Sequence, residues 1–251
     1  QTCALPILRR ALQAAFGFLY GIYALACFLL LGIPTWIAVA LLGRCVASRR
    51  LVRHAARVFF GMAAIRLRVD GLDHLPRSGT VLAVNHTSYL DGVVLSAALP
   101  SGYPTVFAAK RELAGHWLPR IFLRAIGVEF VERFDAQQGV EDVEQFTAAL
   151  ADGRVPAFFP EGTVHPSAGL RTFRAGAFAV AARAGVAVTP IVIRGARSVL
   201  RGETWIPRHG AVSVTVLAPI VPQGTDWEAA MKLRDAVRAE ILRACGEPDL
   251  A

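Results

Sequence analysis

A histidine and an aspartate, His86 and Asp91, follow an apolar run at Thr80–Val84. Their separation of five positions would place them about 140° apart on a continuous helix, so they could not share one face. If His86 instead lies in a turn, with Thr87 or Ser88 capping a following helix, the Asp91 carboxylate can reach the imidazole. A carboxylate on one ring nitrogen fixes the tautomer and leaves the other nitrogen as a general base. The pair therefore predicts abstraction of a proton.

A second polar turn, at residues 160–163, comes directly after another apolar run at residues 155–159. In open α/β sheets, ligands bind outside the carboxyl ends of the strands. We therefore expect this Pro-Glu-Gly-Thr turn to lie beside His86. A competing mechanism acylates the Ser88 hydroxyl first. It is less favoured, because a spacing of two positions is poor geometry for activation by His86.

The elements that must position these residues form an alternating series. Apolar runs predict strands, and segments with helical periodicity predict helices between them. This alternation predicts an α/β domain with helices on both faces of a sheet. We assign residues 65–251 to that domain and residues 1–64 to a membrane-embedded or interfacial helical segment with a basic collar. The strands are predicted at residues 80–84, 103–108, 155–159, 186–193 and 211–217, and the helices at residues 140–151, 175–184 and 226–244.

The net positive charge of the chain comes from its N-terminal third. Residues 1–77 contain ten arginines and two aspartates, whereas residues 78–251 are net neutral. A nucleic-acid groove would need a basic stripe on the folded domain itself, so this distribution argues against nucleic-acid binding. With 54% hydrophobic and 18% charged residues, the chain is more apolar than ordinary soluble domains. The pattern favours a basic collar around a lipid-facing segment.

That segment is the uncharged stretch at residues 11–43, which is longer than the roughly 20 residues one membrane span needs. Pro34 interrupts it, so residues 12–31 and 35–42 are predicted as two helical pieces. Arginines flank both ends and are retained on the cytoplasmic side, which favours a re-entrant or interfacial hairpin. The alternative is a plain anchor followed by a surface helix at residues 45–64. In either case, we expect the α/β domain on the cytoplasmic side of an inner membrane.

The tryptophans and cysteines carry less information. Trp36 lies inside the apolar run and suits a membrane interface, whereas Trp117, Trp205 and Trp227 are expected in the core. The four cysteines form no CxxC pair and have no metal-ligand spacing with histidine, which argues against structural zinc. We therefore expect no metal and no prosthetic group.

Four motifs in order resemble those of the glycerolipid acyltransferase family, the membrane-associated 1-acyl-sn-glycerol-3-phosphate (lysophosphatidic acid) acyltransferases. Any one of them is weak, but four in the family's order are specific. The resemblance implies an α/β fold with a mixed sheet flanked by helices and an N-terminal membrane-associated helical hairpin. The matching segments are His86 to Asp91 with Asn85 before it, residues 127–133, Phe159 to Thr163, and residues 188–193.

The resemblance also implies the reaction and its residues. A fatty acyl group would pass from acyl-CoA or acyl-carrier protein to the sn-2 hydroxyl of 1-acyl-glycerol-3-phosphate, forming phosphatidic acid. His86 would be the general base and Asp91 its orienting partner. The substrates would be a lysophospholipid and an acyl thioester, taken up at the membrane surface. The residues matching the family's acceptor site are Lys110, Arg133, Glu161, Gly162, Thr163 and Arg174.

One position departs from the family pattern. A basic residue often follows the Phe-Pro-Glu-Gly-Thr block, but here Val164 occupies that place and His165 comes next. Arg171 or Arg174 could supply the missing phosphate contact. Alternatively, the acceptor is another lysolipid, such as an ornithine-type lipid or a different lysophospholipid. A third alternative is a non-catalytic membrane lipid-binding protein with the same fold.

Overall fold

The computed structural model describes residues 4–131, 136–201 and 206–251. Eight helices and seven strands lie in these ranges. The helices are α1 (Ala4–Leu42), α2 (Val46–Met62), α3 (Asp91–Ala98), α4 (Trp117–Ala125), α5 (Ala136–Ala151), α6 (Gly176–Ala184), α7 (Ala196–Val199) and α8 (Trp227–Cys245). The strands are β1 (Arg66–Asp70), β2 (Thr80–Val84), β3 (Thr105–Lys110), β4 (Glu129–Val131), β5 (Val155–Phe158), β6 (Ala187–Arg194) and β7 (Ala211–Val216).

The N-terminal segment is one continuous helix. Helix α1 runs through Pro34 without a break, so the prediction of two helical pieces was wrong. A proline removes only its own amide hydrogen bond, and in a long apolar helix this produces at most a kink. By length and composition, the part at Leu12–Leu42 is able to cross a membrane.

The hairpin forms between α1 and α2 instead. The chain reverses at Gly43, which has a φ of 66°. The Tyr20 hydroxyl then donates to the Ala63 carbonyl oxygen at 2.7 Å, and the Tyr23 hydroxyl donates to that of Met62 at 2.8 Å. The two helices are therefore antiparallel. This arrangement matches the alternative of a single long helix followed by a second helix at residues 45–64.

Arginines of α2 fasten the hairpin to the α/β domain. The Nε of Arg53 donates to the Leu99 carbonyl oxygen at 2.7 Å, and the Nη1 of Arg57 donates to that of Ala97 at 3.4 Å. These carbonyls end helix α3, where cations complement both the unpaired acceptors and the helix dipole. Two arginines of the basic collar therefore contact the α/β domain of the same chain.

A seven-stranded mixed sheet, ordered β1-β7-β6-β2-β5-β3-β4, forms the centre of the α/β domain. All neighbouring pairs are parallel except β6 and β7, which are antiparallel. Two hydrophobic clusters cover its two faces. The mixed α/β class and the five predicted strands are confirmed, with strand ends shifted by no more than two residues. Strands β1 and β4 and helices α4 and α7 were not predicted.

The tryptophans do not follow the expectation of core positions. Trp117 and Trp227 are 66% and 64% exposed, so placing them in the core was wrong. Trp36 is partly exposed on α1, and Trp205 lies outside the described residues.

Gly195 provides a test of the packing between β6 and β7. Its φ is 84°, and a Cβ there would lie 2.2 Å from the Ala211 carbonyl oxygen. Gly153 has a similar φ of 72° but open space around it. We expect alanine at either position to lower the free energy of unfolding by about 1–2 kcal/mol, because alanine is strained in the left-handed backbone conformation. Gly195→Ala should lose about 1 kcal/mol or more beyond that, because the β7 backbone must move. Guanidinium unfolding of the detergent-solubilised protein measures this, and equal losses would contradict the packing described.

Candidate active site

The site lies at the carboxyl ends of β2 and β5, which are parallel neighbours. Their register pairs Leu82 with Ala157 and Ala83 with Phe158. Continued beyond the strands, the same register places His86 opposite Glu161. The two motifs, far apart in sequence, therefore meet at one edge of the sheet, as predicted from their positions after strands.

Asn85 fixes the chain directly before the histidine. Its side chain is buried and forms two hydrogen bonds with the backbone of Ile193 on β6. The Nδ2 group donates to the Ile193 carbonyl oxygen at 2.9 Å, and Oδ1 accepts from the Ile193 amide at 2.7 Å. These bonds tie the residue after β2 to β6 beyond the last paired positions, Val84 and Ile191. The backbone thus leaves the sheet at a defined point.

The predicted contact between His86 and Asp91 is present. The Nδ1 of His86 lies 3.0 Å from the Oδ2 of Asp91, whose side chain is fully buried. The same oxygen accepts the backbone amides of Thr87 at 2.6 Å and Ser88 at 2.8 Å. A carboxylate can remain charged in a buried position when several donors surround it. Asp91 therefore holds both the ring and the turn that carries it.

The expected capping of α3 by Thr87 or Ser88 is wrong. The residue before the helix is Leu90, which makes no side-chain cap, and the turn is closed by the Asp91 carboxylate from within the first helical turn. The Ser88 hydroxyl is buried, donating to the Leu200 carbonyl oxygen at 2.7 Å and accepting the Leu90 amide at 3.1 Å. This hydroxyl is engaged in the fold, which leaves no support for a covalent Ser88 intermediate.

Glu161 binds the backbone on either side of the site. Its Oε1 accepts the His86 amide at 2.8 Å, and its Oε2 accepts the Arg171 amide at 3.1 Å. Burial raises the pKa of the Glu161 carboxyl, and these two hydrogen bonds act in the opposite direction. Both oxygens are thus used to position the loops around the histidine.

Phe159 supports the imidazole from one side. The two rings stack with centroids 4.3 Å apart and planes 25° apart. The His86 side chain remains 19% exposed. Because Nδ1 contacts Asp91, Nε2 is the ring nitrogen left for proton transfer. No sequence signal distinguished Phe159 as more than the start of a motif.

The structure brings most of the predicted substrate residues together beside this ring. The Nζ of Lys110 lies 3.4 Å from the Thr163 hydroxyl. Gly162 has a φ of 86°, and a Cβ there would lie 2.7 Å from the Nε of Arg174. The Arg174 guanidinium group therefore packs over a glycine that cannot be replaced without moving it. Arg133, also predicted, lies outside the described residues.

The surroundings of His165 show that this region is electropositive. Burial lowers the pKa of the His165 imidazole, and Arg171, Arg197 and Lys110 lower it further through their charges. Arg197 was missed in the sequence, because it lies on the short helix α7, more than 30 residues later in the chain. Its Nη1 donates to the His165 carbonyl oxygen at 2.5 Å.

An apolar cavity of about 560 Å³ opens from the histidine. His86 and Lys110 line it together with Val164, the residue that departs from the family pattern. Its other walls come from helices of both parts of the chain and include Phe28 and Leu31 of α1. Among the described residues, no group of three His, Cys, Asp or Glu side chains is placed to hold a metal ion.

This arrangement suits one type of chemistry. An imidazole with its tautomer fixed lies between an apolar cavity and a cluster of cations. Such a group can remove a proton from a hydroxyl, the cavity can hold a hydrocarbon chain, and the cations can hold an anionic group.

Known proteins with similar sequences are consistent with this chemistry. Residues 66–194 match the sequence model of the Acyltransferase family. The chain is 34% identical over 158 residues to the chloroplastic 1-acyl-sn-glycerol-3-phosphate acyltransferase LPAT1 of Arabidopsis thaliana, covering 62% of this chain and 44% of that protein. It is 30% identical over 207 residues to 1-acyl-sn-glycerol-3-phosphate acyltransferase alpha of Homo sapiens, covering 81% and 72%. The chain spans about half the length of the chloroplastic relatives from Arabidopsis thaliana and Brassica napus.

A solved structure has the same fold. The 1-acyl-sn-glycerophosphate (LPA) acyltransferase PlsC from Thermotoga maritima superposes with a TM-score of 0.69 at 20% sequence identity, covering 93% of this chain and 95% of that one.

The role of Asn85 can be tested by its removal. In Asn85→Ala, the buried amide and carbonyl of Ile193 lose their partners, each at a cost of about 1–3 kcal/mol. We expect the free energy of unfolding to fall by about 2–6 kcal/mol in guanidinium titrations. The matched control is Ser96→Ala, whose hydroxyl donates to the Gly92 carbonyl oxygen within helix α3. A loss no larger than that of this control would contradict the anchoring role.

Proposed function

This chain belongs to the Acyltransferase family, and we propose that it transfers a fatty acyl group from acyl-CoA or acyl-carrier protein to the sn-2 hydroxyl of 1-acyl-glycerol-3-phosphate, forming phosphatidic acid. The observation that carries the proposal is the 3.0 Å contact between His86 and Asp91, located where the apolar cavity meets the cations. The names of the relatives from Arabidopsis thaliana and Homo sapiens support this acceptor.

In the proposed mechanism, His86 is the general base. With Asp91 ionised, Nδ1 carries the proton shared with the carboxylate, and Nε2 is free to accept another. Nε2 takes the proton of the sn-2 hydroxyl as that oxygen attacks the thioester carbonyl carbon. The tetrahedral intermediate then expels the thiolate, which receives the proton from His86 and leaves as the thiol. The reaction uses no metal and no prosthetic group.

Asp91 acts on the histidine rather than on the substrate. Its negative charge stabilises the imidazolium that forms during the reaction, and its fixed position keeps Nδ1 as the protonated nitrogen. The backbone bonds from Thr87 and Ser88 hold the carboxylate in place. Asp91 is therefore a positioning residue for the general base.

The cations beside the cavity are proposed to bind the phosphate of the acceptor. Lys110 and Arg174 lie next to the Gly162 and Thr163 turn. Arg171 and Arg197 lie near the same loop and, after burial, contribute to lowering the pKa of His165; Arg197 is also paired with Glu247 at 3.3 Å. These cations can replace the basic residue that the family often has at the position of Val164. A phosphate-bearing acceptor is therefore favoured over the ornithine-type alternative.

The apolar cavity is proposed to hold the acyl chain that is transferred. It reaches from His86 to the α1 side chains Phe28 and Leu31, so a thioester carbonyl near the imidazole could extend its chain toward the hairpin. The apolar helix α1 supports a membrane location. We place the protein at the cytoplasmic side of an inner membrane, in keeping with the arginines that flank α1.

The catalytic roles predict the behaviour of three variants. His86→Ala should lower acyl transfer by about 10²–10⁴-fold, the range that general-base catalysis contributes. Asp91→Asn, which keeps the shape of the side chain, should lower kcat with little change in the KM of the acceptor. The control is His54→Ala, at an exposed position on α2, which should retain full activity. The measurement is thiol release from acyl-CoA and from acyl-carrier protein, with and without lysophosphatidic acid.

The same assay separates the alternatives. Retained transfer in His86→Ala, with the fold intact, would exclude this mechanism and favour the non-catalytic lipid-binding role. Activity on a panel of lysolipids identifies the acceptor. If lysophosphatidic acid is not preferred, the specific acceptor is wrong while acyl transfer stands.

If the phosphate of the acceptor binds among these cations, we expect the pKa of the His165 imidazole to change. Because nearby cations lower the pKa of this imidazole, an anion bound among them should raise it, by about 0.5 if its charge is partly screened. Titration of ring-labelled histidine by NMR, with His165→Gln used to assign the signal, measures this value. Glycerol 3-phosphate should produce the rise, and glycerol should not. An equal response to both compounds would count against an anion site at this loop.

A further inference from the structure

Helix α4 exposes a set of large apolar side chains. Trp117, Leu118 and Ile121 are 66%, 49% and 40% exposed. Leu113, in the turn before the helix, is also exposed. Contiguous exposed apolar surface of this kind marks a site of interaction with protein or membrane. The opposite side of the helix faces inward, where Phe122 and Leu123 line the cavity.

This surface is continuous with that of α1. The indole Nε1 of Trp36 donates to the Leu118 carbonyl oxygen at 3.1 Å, and the rings of Trp36 and Trp117 pack edge to face with centroids 6.4 Å apart. Ile33 and Ile37, on the neighbouring turns of α1, are exposed. Whatever covers the apolar face of α1 at this level therefore also reaches α4.

Two arginines of α4 lie beside the surface, and Glu112 directly precedes Leu113. Arg120 and Arg124 are exposed and, at helical spacing, lie next to Trp117 and Ile121. Short helices with tryptophan and leucine on one side and arginine alongside bind at the boundary between headgroups and acyl chains. Anionic lipids add an electrostatic attraction of about 1 kcal/mol per basic residue.

We propose that α4 is a second membrane-binding element, which inserts Trp117, Leu118 and Ile121 into an anionic phospholipid bilayer beside α1. Arg120 and Arg124 then contact the lipid headgroups. The inference goes beyond acyl transfer and does not depend on it. One consequence is that the cavity wall formed by Phe122 and Leu123 lies directly behind the lipid-facing surface.

Quenching of tryptophan fluorescence by brominated lipids tests this directly. The whole chain, including α1, is bound to vesicles of phosphatidylcholine and phosphatidylglycerol with dibrominated acyl chains. Trp117→Phe and Trp227→Phe form a matched pair, because the two indoles are 66% and 64% exposed and lie on different helices. Trp117→Phe should reduce the fraction of fluorescence quenched by the brominated chains. Trp227→Phe removes an indole that we expect to face water. It should therefore increase the fraction quenched by the brominated chains and decrease the fraction quenched by aqueous acrylamide.

A second variant covers the case in which the emission of Trp117 is too weak to resolve. Ile121→Glu places a charge on the same exposed face and should decrease bromolipid quenching relative to the parent protein. The proposal is overturned if Trp117→Phe and Trp227→Phe change bromolipid quenching equally, or if Ile121→Glu leaves it unchanged. It is also overturned if Trp117 is shielded from acrylamide in detergent by self-association, because a second copy would then cover α4.

Discussion

The buried carboxylate of Asp91 is the constraint on which the site depends. A single oxygen accepts two backbone amides and contacts the imidazole of His86. The amides fix the turn, and the turn fixes the direction from which the ring approaches. These donors replace the hydrogen bonds to water that the carboxylate loses on burial. The same contacts therefore orient the histidine and satisfy the buried carboxylate.

The strand register carries this local arrangement to the rest of the site. Pairing of β2 with β5 brings Glu161 level with His86, although 75 positions separate them. The second oxygen of Glu161 then holds the Arg171 amide. The loop that contributes to the positive potential is thus linked to the histidine through one carboxylate. A shift of register by one residue would separate the two halves of the site, because alternate residues of a strand point to opposite faces.

Sequence patterns predicted the parts of the structure that depend on local chemistry. Five of the seven strands were recognisable as apolar runs between turns, and the spacing of His86 and Asp91 required a turn before α3. The patterns failed where the outcome depends on distant contacts. The continuity of α1 through Pro34 could not be read from a residue that normally interrupts helices. Nor could the exposure of Trp117, because it depends on which face of α4 the cavity and α1 leave uncovered.

The N-terminal hairpin and the α/β domain line one cavity together. Phe28 of α1 and Phe59 of α2 line the same space as His86, and Arg53 joins α2 to the end of α3. The predicted division at residue 64 therefore separates the chain by composition but cuts through the site. A hydrocarbon chain in this cavity would contact the hairpin and His86 at once. Loss of the hairpin would remove the part of the cavity wall that Phe28 and Phe59 form.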